Sequence, residues 1–174
     1  MAWIVKNSAS MVIERRNEPY LDDQLKATLE AEVMVRYPTR QAAMLPVLHA
    51  IQEKHNWIAE QAIEETAEFL GLTPAQVLDT ATFYEQFFLH RKGKYLIMIC
   101  QSLSCELMGQ KLLLQALQQK LGIEPGQTTD NGKFTLVTAE CLGACDGAPC
   151  ALVDEKLHEQ LTIENLEQVL NSLG

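Results

Sequence analysis

Neither a Cys-x-x-Cys, a Cys-x-x-Cys-His nor a Gly-x-Gly-x-x-Gly occurs anywhere in this 174-residue chain. The first absence removes the usual motif for thiol–disulfide exchange, and the second removes attached haem. The third removes the glycine-rich turn that receives a dinucleotide pyrophosphate. Long apolar runs are missing too: stretches such as Tyr95 to Cys100 fall far short of the roughly 20 residues a membrane helix needs. Basic residues are the minority, 14 Lys and Arg against 23 Asp and Glu, for a formal charge of -9. That balance argues against sequence-independent nucleic-acid binding and against direct attraction to anionic lipid. The first twenty residues include Lys6, Glu14, Arg15, Arg16 and Glu18 and hold no sustained apolar region. A secretory leader is not expected, and the chain reads as cytoplasmic.

What the chain does have is cysteine, five residues of it, an odd number that suits metal ligation better than disulfides inside a cell. Four fall into two pairs, Cys100-x4-Cys105 and Cys141-x3-Cys145, with 35 residues between the pairs. Ser102, Ser104 and Gly109 frame the first pair, and Gly143 and Gly147 the second. A thiolate quartet is a cage for a soft metal centre, either Zn²⁺ or an iron–sulfur cluster.

Hydrophobic periodicity divides the chain. Residues 1–19 show no clean period and read as an arm. Between 20 and 92 the pattern is helical, a small bundle. Leu21, Leu25, Leu29 and Val33 recur every four residues until Tyr37-Pro38. Thr39 is placed to cap a stripe of Met44, Val47, Leu48 and Ile51, with Pro46 marking a kink or a restart. A third helix runs from about Glu60 to Leu70 and stops at Gly71, and Thr73-Pro74 opens a fourth. Residues 93–174 form an α/β unit in the order strand, helix, strand, strand, helix. Tyr95 to Ile99 is apolar throughout, as in a central strand buried on both faces. Leu113, Ala116, Leu117 and Leu121 mark a helix closed by Gly122, and Phe134 to Val137 and Ala151 to Val153 are strands. Thr162 caps a last helix with Leu166, Val169, Leu170 and Leu173 inward. Both cysteine pairs thus fall in loops at or beyond strand ends, where sites on open α/β sheets gather.

Spacing alone leaves zinc and iron level, because zinc knuckles tolerate gaps of two to four residues. The presence of a core-forming α/β unit favours a functional centre over a structural staple. Plant-type ferredoxin spacing is absent, and no histidine lies near the cysteines as a Rieske centre requires.

The segments Cys100-Gln-Ser-Leu-Ser-Cys105 and Glu140-Cys141-Leu-Gly-Ala-Cys145, followed by Ala148-Pro149, closely resemble the thioredoxin-like [2Fe-2S] subunit of NADH:quinone oxidoreductases. The likeness extends to Ala81-Thr-Phe-Tyr84, Gly93-Lys94-Tyr95 and the stretch from Leu121 to Phe134, and covers roughly residues 36–174. The same module occurs in NAD-linked hydrogenases and formate dehydrogenases. The resemblance implies a helical N-terminal bundle followed by a thioredoxin-like [2Fe-2S] ferredoxin domain. It implies that Cys100, Cys105, Cys141 and Cys145 ligate one [2Fe-2S] cluster. It also implies a partner flavoprotein that carries NADH and FMN, further iron–sulfur subunits, and a place at the cytoplasmic membrane through the complex without insertion of this chain. A zinc-stapled scaffold is the reading from another class.

Several residues carry rival expectations. Cys150 is either a substitute ligand or a small buried residue opening a strand, and the resemblance favours the second. Backbone N–H groups at Gly109, Gly143 and Gly147 are expected to donate to cluster sulfur and raise an otherwise low potential. His49, His55, His90 and His158 are scattered and read as structural or surface residues. Trp57, Phe83, Tyr84, Phe87 and Phe88 read either as a partner-facing aromatic patch or as core, and their helical spacing places about half of them in the core. Glu140 and Asp146 are solvated or tune the site by repulsion, and Lys111 and Lys120 face water.

Overall fold

The structure, a computed structural model, describes residues 15–173. Of the expected arm, residues 1–14 lie outside the described residues. Its last part lies on the bundle, with Arg15 forked onto the Glu64 carboxylate at 2.8 and 2.9 Å and the Arg16 N–H on Gln61 Oε1 at 3.0 Å. Two compact units divide between Arg91 and Lys92. No helix among the described residues is long and apolar enough to cross a membrane.

The first unit is helical. Asp22 caps α1 (Asp23–Thr28) through its carboxylate on the Leu25 N–H, 2.8 Å. The chain continues as a π-helical turn over Leu29–Val33 and a 3₁₀ turn over Met34–Arg36. This is not the uniform helix that the sequence suggested. A strict four-residue repeat outruns the 3.6 residues of an α-turn, and a wider π-turn takes up the drift. A second 3₁₀ turn (Gln41–Ala43), with Thr39 Oγ1 accepting from the Ala42 N–H at 3.2 Å, leads into α2 (Met44–His55). Pro46 lies in the first turn of α2, just after the helix restarts at Met44, where the N–H that proline lacks would have had no intrahelical partner.

Helix α3 (Glu60–Leu70) ends at Gly71 in the left-handed region, φ +69°. Helix α4 (Pro74–Phe83) opens with a full capping box between Thr73 and Gln76. Val47, Leu48, Ile51, Ile58, Ala62, Ala67, Leu70 and Val77 form the core of the unit. Phe87 joins that core, whereas Phe83 is exposed.

The second unit is a five-stranded mixed sheet in the order β2-β3-β1-β4-β5 with helices packed on it. β1 (Tyr95–Cys100) is central and pairs parallel with β3 (Phe134–Ala139), Cys100 opposite Ala139. A parallel pair needs a crossover, supplied here by α5 (Leu103–Leu107) and α6 (Gln110–Leu121). β2 (Gln127–Thr128) follows before β3 begins. On its other edge β1 pairs antiparallel with β4 (Ala151–Val153), Ile99 opposite Ala151, and β5 (Lys156–His158) closes the sheet. Thr162 caps α7 (Ile163–Ser172) with a capping box to Asn165.

Leu113 and Leu117 of α6 and Leu166 and Leu170 of α7 share one core with Ile97, Ile99 and Leu136 of the sheet. Three elements absent from the sequence reading, α5, β2 and β5, are all short.

Candidate metal centre

Cys100 is the last residue of β1, and its strand neighbours decide what surrounds it. On one side the parallel register sets Ala139 opposite it, so the chain leaving β3 delivers Cys141 two residues later to the same end of the sheet. On the other side the Cys100 N–H donates to the Cys150 carbonyl at 3.2 Å, just before β4. Beyond Cys100 the chain turns at Ser102 and enters α5, whose first turn carries Cys105 inward. Cys100, Cys105 and Cys150 are buried with Ala144, and Leu142 and Ala148 pack against them. The second cysteine loop therefore lies over the first pair.

The sulfurs of Cys100, Cys105 and Cys150 lie within 4.8 Å of one another. Cys105 and Cys150 are 3.8 Å apart. Cys141 and Cys145 are exposed on the loop between β3 and β4. The structure thus brings three thiols together, of which two are expected ligands and the third is Cys150. The other two expected ligands stand at the solvent side of the same loop pair.

The sulfurs differ in their surroundings. Burial pushes the Cys100 thiol up. The Ser102 hydroxyl, the backbone N–H groups of Ser102 and Leu142, and the Cys105 thiol outweigh that and hold it down at about 7. Ser102 Oγ lies 3.5 Å from Cys100 Sγ. Burial, then the neighbouring Cys105 and Cys100, push the Cys150 thiol up to about 12. Cys100 is primed as a thiolate, while Cys150 keeps its proton. At Cys141 the Gly143 N–H reaches Sγ at 3.3 Å, in a loop where Gly143 holds φ +78°.

Of the three glycines expected to donate to sulfur, only Gly143 does so among the bonds described. The Gly109 N–H bonds the Glu106 carbonyl and the Gly147 N–H bonds the Ala144 carbonyl, each at 3.1 Å. Both are turn closures, which claim the donor before sulfur can. The donors on Cys100 are instead Ser102 and Leu142. Glu140 is held by Gln101 at 2.7 Å, and Lys111 pairs with Glu106.

The donor set fits an iron–sulfur centre. It offers two buried and two exposed thiols on adjacent loops, with N–H groups aimed at two of the sulfurs and no histidine or carboxylate in the buried thiol group. A small α/β sheet that presents paired thiols on neighbouring loops is a ferredoxin of thioredoxin type. Residues 30–174 match the thioredoxin-like [2Fe-2S] ferredoxin family, and the chain belongs to it.

Its relatives include the E 2 subunit of the NADH-quinone oxidoreductase of Rhizobium meliloti (strain 1021), 39% identical over 79% of this chain and 82% of that one. NADH-quinone oxidoreductase subunit 2 of Thermus thermophilus is 38% identical over 88% and 86%. The E subunit of the Escherichia coli (strain K12) NADH-quinone oxidoreductase is 38% identical over 79% and 82%. Among solved structures, an NAD⁺-reducing [NiFe]-hydrogenase in the air-oxidized state shares the fold at a TM-score of 0.64 and 24% identity. That match takes in 73% of this chain and spans 22% of the hydrogenase chain.

Proposed function

We propose that this chain is the electron-transfer subunit of an NADH:quinone oxidoreductase, with Cys100, Cys105, Cys141 and Cys145 as ligands of one [2Fe-2S] cluster. The observation that carries this is the meeting of two cysteine loops at one end of β1 and β3, in a chain 38% identical to a subunit of that enzyme over most of its length. When bound, the cluster supplies a centre that stores a single electron. The chain's own residues do the rest. Cys100 and Cys105 anchor from a buried floor, Cys141 and Cys145 close from the solvent side, and Ser102, Leu142 and Gly143 direct hydrogens at sulfur.

No Gly-x-Gly-x-x-Gly occurs, so NADH and FMN are assigned to a partner flavoprotein. Further iron–sulfur subunits complete the path, and the complex holds this chain at the cytoplasmic face of the membrane. In domain terms the arm is 1–19, the helical bundle 20–92 and the thioredoxin-like domain 93–174. Leu103, Leu107, Met108 and Leu112 are all exposed beside the cysteine site, as expected of a face buried on assembly.

The hydrogenase fold match supports a second reading, the equivalent subunit of an NAD-coupled hydrogenase or formate dehydrogenase. Anaerobic purification of the full chain with its bound partners separates the two by the subunits recovered. The full chain alone is expected to be brown and to carry iron and sulfide, and to be reduced by NADH only with the flavoprotein present. Alanine at any of Cys100, Cys105, Cys141 or Cys145 abolishes the cluster absorption. A colourless, zinc-loaded protein would overturn the proposal.

A further inference from the structure

Four groups on this chain point a hydrogen at the proposed ligand sulfurs from outside the ligand set: the N–H of Leu142 and both the hydroxyl and the N–H of Ser102 at Cys100, and the N–H of Gly143 at Cys141. Cys105 receives none of these. Beside its fellow ligand Cys100, Cys105 has a second sulfur neighbour in Cys150, with Sγ to Sγ at 3.8 Å, within the reach of an S–H···S bond. Both side chains are enclosed, Cys105 at 0% and Cys150 at 1% exposure, so water cannot take either role.

Position 150 is held there by the sheet. Its carbonyl accepts the Cys100 N–H, and the next residue, Ala151, pairs with Ile99. The thiol cannot drift away without breaking the ladder.

A ligand sulfur has lost its proton, so in a Cys105–Cys150 pair only Cys150 has a hydrogen to give. We propose that Cys150 is a positioning residue whose S–H donates to Cys105 Sγ and raises the reduction potential of the bound cluster. A hydrogen bond to a ligand sulfur withdraws negative charge, which favours the more negative, reduced form of the centre. The effect is strong for its size because the pair is buried and unscreened. The proposal rests on the reading that Cys105 is a ligand and Cys150 is not, and it gives the fifth cysteine a function that a small apolar residue would lack.

The test is a potentiometric titration, followed by electron paramagnetic resonance, of the full chain carrying its cluster, as wild type, Cys150→Ala and Cys150→Ser. Iron and sulfide content are measured on each. All three are expected to keep the wild-type cluster content. The midpoint potential falls in Cys150→Ala and recovers to the wild-type value or above in Cys150→Ser, whose hydroxyl is the stronger donor. Where Cys150→Ala loses near-ultraviolet circular dichroism, Cys150→Val keeps the volume without the donor and takes its place.

An unchanged or higher midpoint in the donorless variant overturns the inference and leaves the ligand reading intact. An equal fall in Cys150→Ser also overturns it, because packing and not donation then sets the potential. Loss of the cluster from a folded donorless variant makes Cys150 a ligand and overturns both.

Discussion

The backbone N–H of Gly93 donates to Thr135 Oγ1 at 2.6 Å, and the glycine Cα sits hard against the backbone of β3. A Cβ built on Gly93 would come 2.9 Å from backbone atoms of Lys133 and Phe134. Thr135 Oγ1 is in turn 2.7 Å from Thr128 Oγ1, so one short polar chain ties the entry to β1, β3 and β2 together. The neighbours are main chain and cannot turn aside. Gly93→Ala is therefore expected to destabilise the second unit by about 1–3 kcal/mol, the usual range for overpacking. Chemical denaturation followed by far-ultraviolet circular dichroism checks it, and an unshifted midpoint would show that the close approach is not required.

Thr66 gives a prediction of opposite sign. It is fully buried in α3, and its Oγ1 is the one buried side-chain polar atom among the described residues without a hydrogen-bond partner. Leaving a hydroxyl unpaired costs about 1–3 kcal/mol, and valine has nearly the same shape. Thr66→Val should raise the stability of the full chain by about 1 kcal/mol, read as a higher denaturant midpoint with an unchanged slope. A loss of stability would mean that the hydroxyl has a partner after all.

Ser102 tests the donor account independently of Cys150. Its hydroxyl lies on Cys100 Sγ and its own N–H points there too. Ser102→Ala removes only the side-chain donor, so the cluster should remain and its midpoint potential should fall. Redox titration of the loaded variant decides it; an unaltered midpoint contradicts the role.

At His158 burial, and then the charge of Lys156, hold the imidazole below its ordinary 6.5. The unfolded chain therefore takes up this proton more readily than the folded one. Stability contributed at neutral pH is lost as pH falls through 6.5 towards the lower folded value. Replacing His158 with Gln should flatten the acid side of the stability curve in that window and leave neutral stability nearly unchanged. Denaturation midpoints across the range provide the measurement.

Most of the framework was legible from local signals. Gly71, Thr73-Pro74 and Thr162 are chemical punctuation, and the helices they bound begin or end where those residues stand. The apolar run from Tyr95 announced the central strand for the same reason. What escaped was short or turned outward. In α5 the apolar residues Leu103 and Leu107 face solvent, so no buried stripe marks the helix. β2 and β5 have two and three residues at the sheet edges, too few for a period to appear.

At the site, the cysteine quartet stood out by spacing and resemblance, but Cys150 beside Cys105 did not. Forty-four residues separate them in sequence, and only the antiparallel pairing of β1 with β4 brings them together. Gly109 and Gly147, unlike Gly143, failed as sulfur donors for a related reason: whether a loop N–H is already engaged depends on turn closures that spacing does not reveal.

The parallel pairing of β1 with β3 also dictates the order of events in the life of the molecule. Until the 35 residues between the cysteine pairs have folded into their crossover, the two dithiols are strangers on a loose chain. Non-local pairing of this sort forms slowly. On the proposed ligand set, a cluster delivered too early would meet only two of its four thiols. Cluster insertion is therefore expected to follow the closing of the β1–β3 crossover, on a finished sheet rather than on a nascent chain.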